Sequence, residues 1–143
     1  MATITIDASD VAPVVSGTLD GTEYFTAPSE EALTAGQFSR MNTSTGFQAL
    51  GNATTAGEAG SGNPRRGLAI NTVAVNETTT FIKKGLLNVG SALSALAYGA
   101  PVYLSDTDGR LEGGDDGTTT VIVGYVVPAF GATTPDKLLY VNL

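Results

Sequence analysis

Across residues 119–127 every position except Gly124 is β-branched or aromatic. Such side chains pack well on a pleated surface and lose rotamer freedom in a helix, so the run predicts a strand. Strict alternation puts Val121, Val123, Tyr125 and Val127 on one face and Ile122, Gly124 and Val126 on the other. Shorter runs of the same kind occupy 68–75, which breaks at Asn76-Glu77, then 79–84, 86–89, 101–104, 110–112 and 137–143. Short strands with frequent turns predict an all-β fold, a small barrel or sandwich. Ser91-Ala92-Leu93-Ser94-Ala95-Leu96-Ala97 is the exception: it predicts the one short helix, about two turns long.

The chain has 143 residues, the size of one domain, and 42% of them are hydrophobic, enough for a modest core. Only 15% are charged and 18 are glycine. The chain holds no His and no Cys. Triads built on His, zinc fingers, iron–sulfur clusters and disulfides are therefore excluded. A net charge of -7 argues against a nucleic-acid surface, which needs clustered Lys and Arg. Carboxylate chemistry, lysine chemistry or none is left, and no cofactor is expected. The first seven residues lack the basic and apolar regions of a signal peptide. The uncharged stretch 85–105 is long enough for a bilayer, but Asn88, Gly90, Gly99 and Pro101 interrupt it, which predicts core segments rather than a membrane span.

Residues 1–35 read as an extended N-terminal arm, punctuated by Pro13, Gly17, Gly21 and Pro28 and tied down by a partner or by the body. Within it Ser29-Glu30-Glu31-Ala32-Leu33 suits one helical turn capped by Ser29. Residues 36–143 read as the barrel, with a long Gly-rich loop at 43–67.

Several motifs invite chemistry and have simpler explanations. Asp106-Thr107-Asp108-Gly109 suggests a calcium loop, but with Gly109 sixth, Leu104 falls where the first oxygen ligand belongs. A tight hairpin turn explains it better. Asp115-Asp116 follows Gly113-Gly114, which suits a solvated loop. Gly60-Ser61-Gly62-Asn63-Pro64-Arg65 lacks both the Gly-Lys of a phosphate loop and the third Gly of a dinucleotide loop. Arg65 and Arg66 still make a basic spot on an acidic chain, and Arg is favoured at interfaces. Lys83-Lys84 suits edge protection at a strand end. The few acids sit beside turn residues, with little aromatic surface for a sugar.

The order of features from Ala32 to the end resembles the capsid decoration (cement) proteins of tailed bacteriophages. The similarity is carried by Ala32-Leu33-Thr34-Ala35-Gly36-Gln37-Phe38, Gly67-Leu68-Ala69, Tyr98-Gly99-Ala100-Pro101-Val102-Tyr103-Leu104, Asp108-Gly109-Arg110-Leu111, Ile122-Val123-Gly124-Tyr125-Val126 and Leu139-Tyr140-Val141. The resemblance implies a β-barrel or β-tulip domain without catalytic residues. It implies homotrimers on the outer surface of the virion that clamp neighbouring subunits of the major capsid protein. On that reading Thr3, Ile4, Thr5, Ile6 and Asp7 of the arm, with Arg65 and Arg66, are the candidate interface residues. A second expectation from the residues is a small β binding module, an adhesin-like domain dependent on carbohydrate or calcium, with Asp106, Asp108, Asp115 and Asp116 as candidate ligands.

Overall fold

A twelve-residue strand, Thr78–Val89, organises the chain. The computed structural model describes residues 3–14, 22–54, 63–129 and 137–143. In chain order the strands are β1 (Thr3–Ile4), β2 (Val11–Val14), β3 (Glu23–Pro28), β4 (Phe38–Met41), β5 (Gln48–Leu50), β6 (Gly67–Ala69), β7 (Thr78–Val89), β8 (Pro101–Leu104), β9 (Leu111–Glu112), β10 (Ile122–Pro128) and β11 (Lys137–Asn142). A 3₁₀ turn, Ala8–Asp10, precedes β2. The strands form one antiparallel sheet in the order β1-β9-β8-β10-β11-β7-β6-β4-β5, with β2 and β3 also paired to β7. The sheet curls into a half-barrel, so the fold is all-β and barrel-like.

The curl follows from how β7 meets its neighbours. A bulge where Glu23 and Tyr24 oppose Lys84 and Ile82 changes which parity faces inward. Ile82 before the bulge and Leu87 and Val89 after it all enter the larger core, with Phe38, Leu68 and Val123. Phe81, next to Ile82, points the other way. It forms a smaller core on the opposite face with Ala27, Leu33 and Ala69. Phe25 stacks on Phe81 with centroids 5.1 Å apart. Burying a side chain such as Phe81 contributes roughly 2–3 kcal/mol, so this outer cluster holds the loop at 29–35 against the sheet.

Several expectations change on contact with the fold. Residues 91–97 are successive turns, not a helix: Ser94 donates to the Ser91 carbonyl and Leu96 to the Leu93 carbonyl. A segment this short has little helical stability of its own, and Leu93 is held in the core instead. The strand predicted at 68–75 stops at Ala69. Val73 bridges Leu33, covering the Phe81 side of the sheet rather than extending β6. The runs at 79–84 and 86–89 are one strand through Gly85. Ser29 caps no helical turn; it bridges Gln48, is fully buried, and donates its hydroxyl to the Glu31 carbonyl. The loop at 43–67 contains β5, which makes a hairpin with β4, and part of it (55–62) lies outside the described residues. Residues 3–14 and 22–28 of the arm lie along β9 and β7.

The alternation expected at 119–127 holds only halfway. Val121 and Val123 share a face as the alternation requires, and it is the buried one, yet the next core residue is Val126, while Ile122 and Tyr125 are exposed. A bulge between Ile122 and Gly124 places two residues opposite one on β8 and reverses the faces from there on.

Candidate functional site

Residues 3–7 do not form a free arm. Thr3 pairs with Glu112 and Ile4 with Leu111, and Ile4 enters the larger core. Past Ile4 the chain runs along a groove of about 240 Å³. Residues 4–6, 34–37 and 109–111 line it. Gly36 makes this close approach feasible: it sits at φ +92°, and a Cβ there would lie 2.9 Å from Ile6 Cγ2. The Thr34–Gln37 turn is braced locally, because Gln37 Oε1 accepts from the Thr34 N–H and Thr72 Oγ1 accepts from the Ala35 N–H.

Asp7 closes the segment by capping the 3₁₀ turn, accepting from the Ser9 N–H at 3.0 Å and the Ser9 hydroxyl at 2.7 Å. The side-chain bond, then the backbone bond, hold its pKa below the ordinary 3.8. A carboxylate with a depressed folded-state pKa stabilises the fold above the ordinary value, and that stabilisation is lost as pH falls through the folded value. Asp7→Asn should therefore remove a small component of the acid destabilisation below pH 3.8, measured as the difference in thermal midpoint between the two proteins across an acid series.

Arg65 and Arg66 sit elsewhere. Asn63 bonds both the N–H and the carbonyl of Met41, and its Oδ1 also accepts from the Arg65 N–H. The buried Gln48 donates to the Arg65 carbonyl and to Ser39 Oγ. This anchoring sets the Arg65 guanidinium 5.3 Å from the Phe25 ring centroid, with a 3.4 Å bond to the Thr26 carbonyl. Arg65 thus lies over β3 and the second core. Arg66 is half-buried, and that burial pulls its pKa below the usual guanidinium value. Arg65 lies over β3 while residues 3–6 lie along β9 and the groove, so the candidate interface residues occupy two separate places.

The acidic turns are occupied internally. Asp106 accepts from the N–H and hydroxyl of Thr118, Asp108 from Asn52, and Asp115 from the Thr120 hydroxyl. Among the described residues no three acidic side chains converge as a cation site would require. No described helix is long and apolar enough to cross a membrane.

Two features escaped sequence reasoning. The first is Arg110, which lines the groove beside Leu111; as a residue of a turn motif it signalled only a hairpin. The second is a row set by pairing register: Val14, Leu86, Tyr140, Tyr125 and Pro101 are consecutive partners across β2, β7, β11, β10 and β8. Partners on adjacent strands share a face, and the alternate positions Leu87, Leu139 and Val126 fill the core. The row therefore covers the convex face, with Tyr125 37% exposed and the neighbouring Ile122 38% exposed. A parallel row runs from Ile122 through Tyr103 and Glu112 to Thr3. Glu112 is buried there, and its Oε1 has no hydrogen-bond partner among the described residues. Compared with known proteins, the chain matches no family model, no curated protein and no solved structure.

Proposed function

We propose that this chain is a non-enzymatic structural protein that binds the outer surface of an assembled phage head and stabilises contacts between major capsid protein subunits. The observation that supports this most is the convex row of Val14, Leu86, Tyr140, Tyr125 and Pro101, uncharged and spread over five strands. Tyr-rich surfaces poor in Lys, Glu and Asp are typical of interface centres. A wide face on a rigid sheet suits adhesion to another protein lattice. A protein that binds the assembled shell and not its separated subunits stabilises the shell by mass action, and a homotrimer would multiply the effect by avidity.

The binding-module alternative finds less support in its calcium form, because Asp106, Asp108 and Asp115 already hold partners within the chain.

Co-sedimentation with undecorated heads tests the proposal. The wild type should pellet with the heads and raise the temperature at which they release DNA. Tyr125→Asp puts a charge into the centre of the row at an exposed position, so the fold should tolerate it. Loss of a hot-spot residue costs about 2 kcal/mol, so binding should weaken roughly thirtyfold. Wild-type protein left in the supernatant would sink the reading. Truncating residues 1–20 is a poor test, since it also strips Ile4 from the core. Native mass spectrometry reads the oligomer directly.

A further inference from the structure

We infer that the groove beside β1 is a docking site for an extended segment of a partner protein, added as a further strand and carrying one carboxylate toward Arg110. Three observations converge there. First, β1 ends the sheet, and no hydrogen bond joins the backbone of Thr5 or Ile6 to any described residue. These two residues continue the line of β1 with backbone donors and acceptors that no described residue pairs, which is the template for strand addition. Second, the space beside them has the depth for side chains. At about 240 Å³ it takes alternate side chains of a short segment, and its lining is mixed, with Ile4, Ile6, Ala35 and Leu111 as the apolar part and Thr5, Thr34 and Gln37 beside them. Third, the groove carries one charged lining residue, the cation Arg110, on a chain of net charge -7. Arg110 is exposed, no described residue bonds or pairs with its guanidinium, and no described acidic side chain lines the groove.

The chemistry of the occupant follows from these parts. Main-chain hydrogen bonds to Thr5 and Ile6 require an extended backbone. The apolar lining selects small branched residues at alternate positions. The planar guanidinium of Arg110 selects a carboxylate, which it can bind through two parallel hydrogen bonds. The occupant is therefore a short extended segment bearing one carboxylate, complementary in charge to Arg110, the one cationic side chain among the residues that line the groove. The site stands on the groove alone and does not depend on the convex row that supports shell binding.

The test uses the full chain and a blocked peptide, Thr-Val-Glu-Val-Thr, followed by amide chemical shifts. Its counterpart has Lys in place of Glu. The Glu peptide at millimolar concentration should shift the amides of Thr5, Ile6, Gly36 and Arg110, with an affinity that falls as salt is added. Arg110→Gln, at an exposed position, should weaken binding about tenfold, the usual loss for a charge-assisted hydrogen bond. Thr5→Pro, also exposed, removes an edge N–H and should abolish the shifts while leaving the remaining spectrum folded. The inference is overturned if the groove amides stay unmoved. It is equally overturned if the Lys peptide binds as well, if Arg110→Gln binds as tightly as the wild type, or if the groove amides shift on concentrating the protein alone. Because no capsid takes part, failure here leaves the shell reading to its own test.

Discussion

Gly124→Ala is expected to destabilise the protein by about 3 kcal/mol or more, near the upper end for overpacking in a filled core. In a domain of this size that lowers the melting temperature by roughly 10 °C. The reason is steric and sits in the backbone. A Cβ on Gly124 would lie 2.0 Å from the carbonyl oxygen of Tyr140, and its carbonyl carbon would be 2.9 Å away. Neither atom can rotate aside as a side chain would. Gly124 pairs with Val141 at the bulge that lets Val123 and Val126 both face the core. Relieving the clash means separating β10 from β11, which disrupts the core and the Tyr125–Tyr140 pair on the convex face together. Gly46→Ala is the control. Gly46 lies in the exposed β4–β5 turn at φ +77° with nothing within 4 Å of an added Cβ. It should lose only the cost of a left-handed alanine, about 1–2 kcal/mol. Equal losses in thermal melts of the two variants would refute the steric account.

What could be read in the sequence was what is decided locally. The β8–β9 hairpin was legible because Asp108-Gly109 lies between Pro101-Val102-Tyr103-Leu104 and Leu111-Glu112, and a turn of that kind fixes its own geometry. The all-β class was legible because β-branched runs and breaks alternate along most of the chain. The bulges were not. The faces of β10 depend on two of its residues sharing one partner on β8, and no local preference encodes that. The same holds for residues 3–14. Their Thr and Ile pattern suits an extended conformation, but pairing with β9 and β7 requires contacts about 75 to more than 100 positions away. The candidate site failed to show for a related reason. Arg110 and Ile6 line one groove only after the chain has folded back on itself. The row from Val14 to Pro101 draws its five residues from five separated strands. Strict alternation puts Tyr125 on the same face as Val123, and it is the bulge that sends it outward. A surface made by register can be inferred from a sequence only when the register is known.

Phe38→Ala should cost about 3–5 kcal/mol, comparable to the entire stability of a marginal domain of this size. Phe38 is fully buried, and few positions tie so many parts of the fold together. Its backbone donates to Gly109 of the β8–β9 turn and accepts from Gly51, and it pairs with Leu68 of β6. Its ring fills the space beneath Gly51, where a Cβ would fall 2.6 Å from Cε1 and 2.7 Å from Cδ1. Gly51→Ala alone should therefore destabilise by pressing on the ring, about 1–3 kcal/mol. The two changes are complementary in space. With the ring gone, the new methyl group enters the vacated volume, so the double variant should be more stable than the sum of the single losses predicts. Contacting residues commonly couple by about 0.5–3 kcal/mol, and the sign here is favourable. Urea denaturation of the four proteins measures it. Strict additivity would mean that the ring of Phe38 does not occupy the space against Gly51. In that case the packing that seats the β8–β9 turn, and with it Arg110 at the groove, would have to be redrawn.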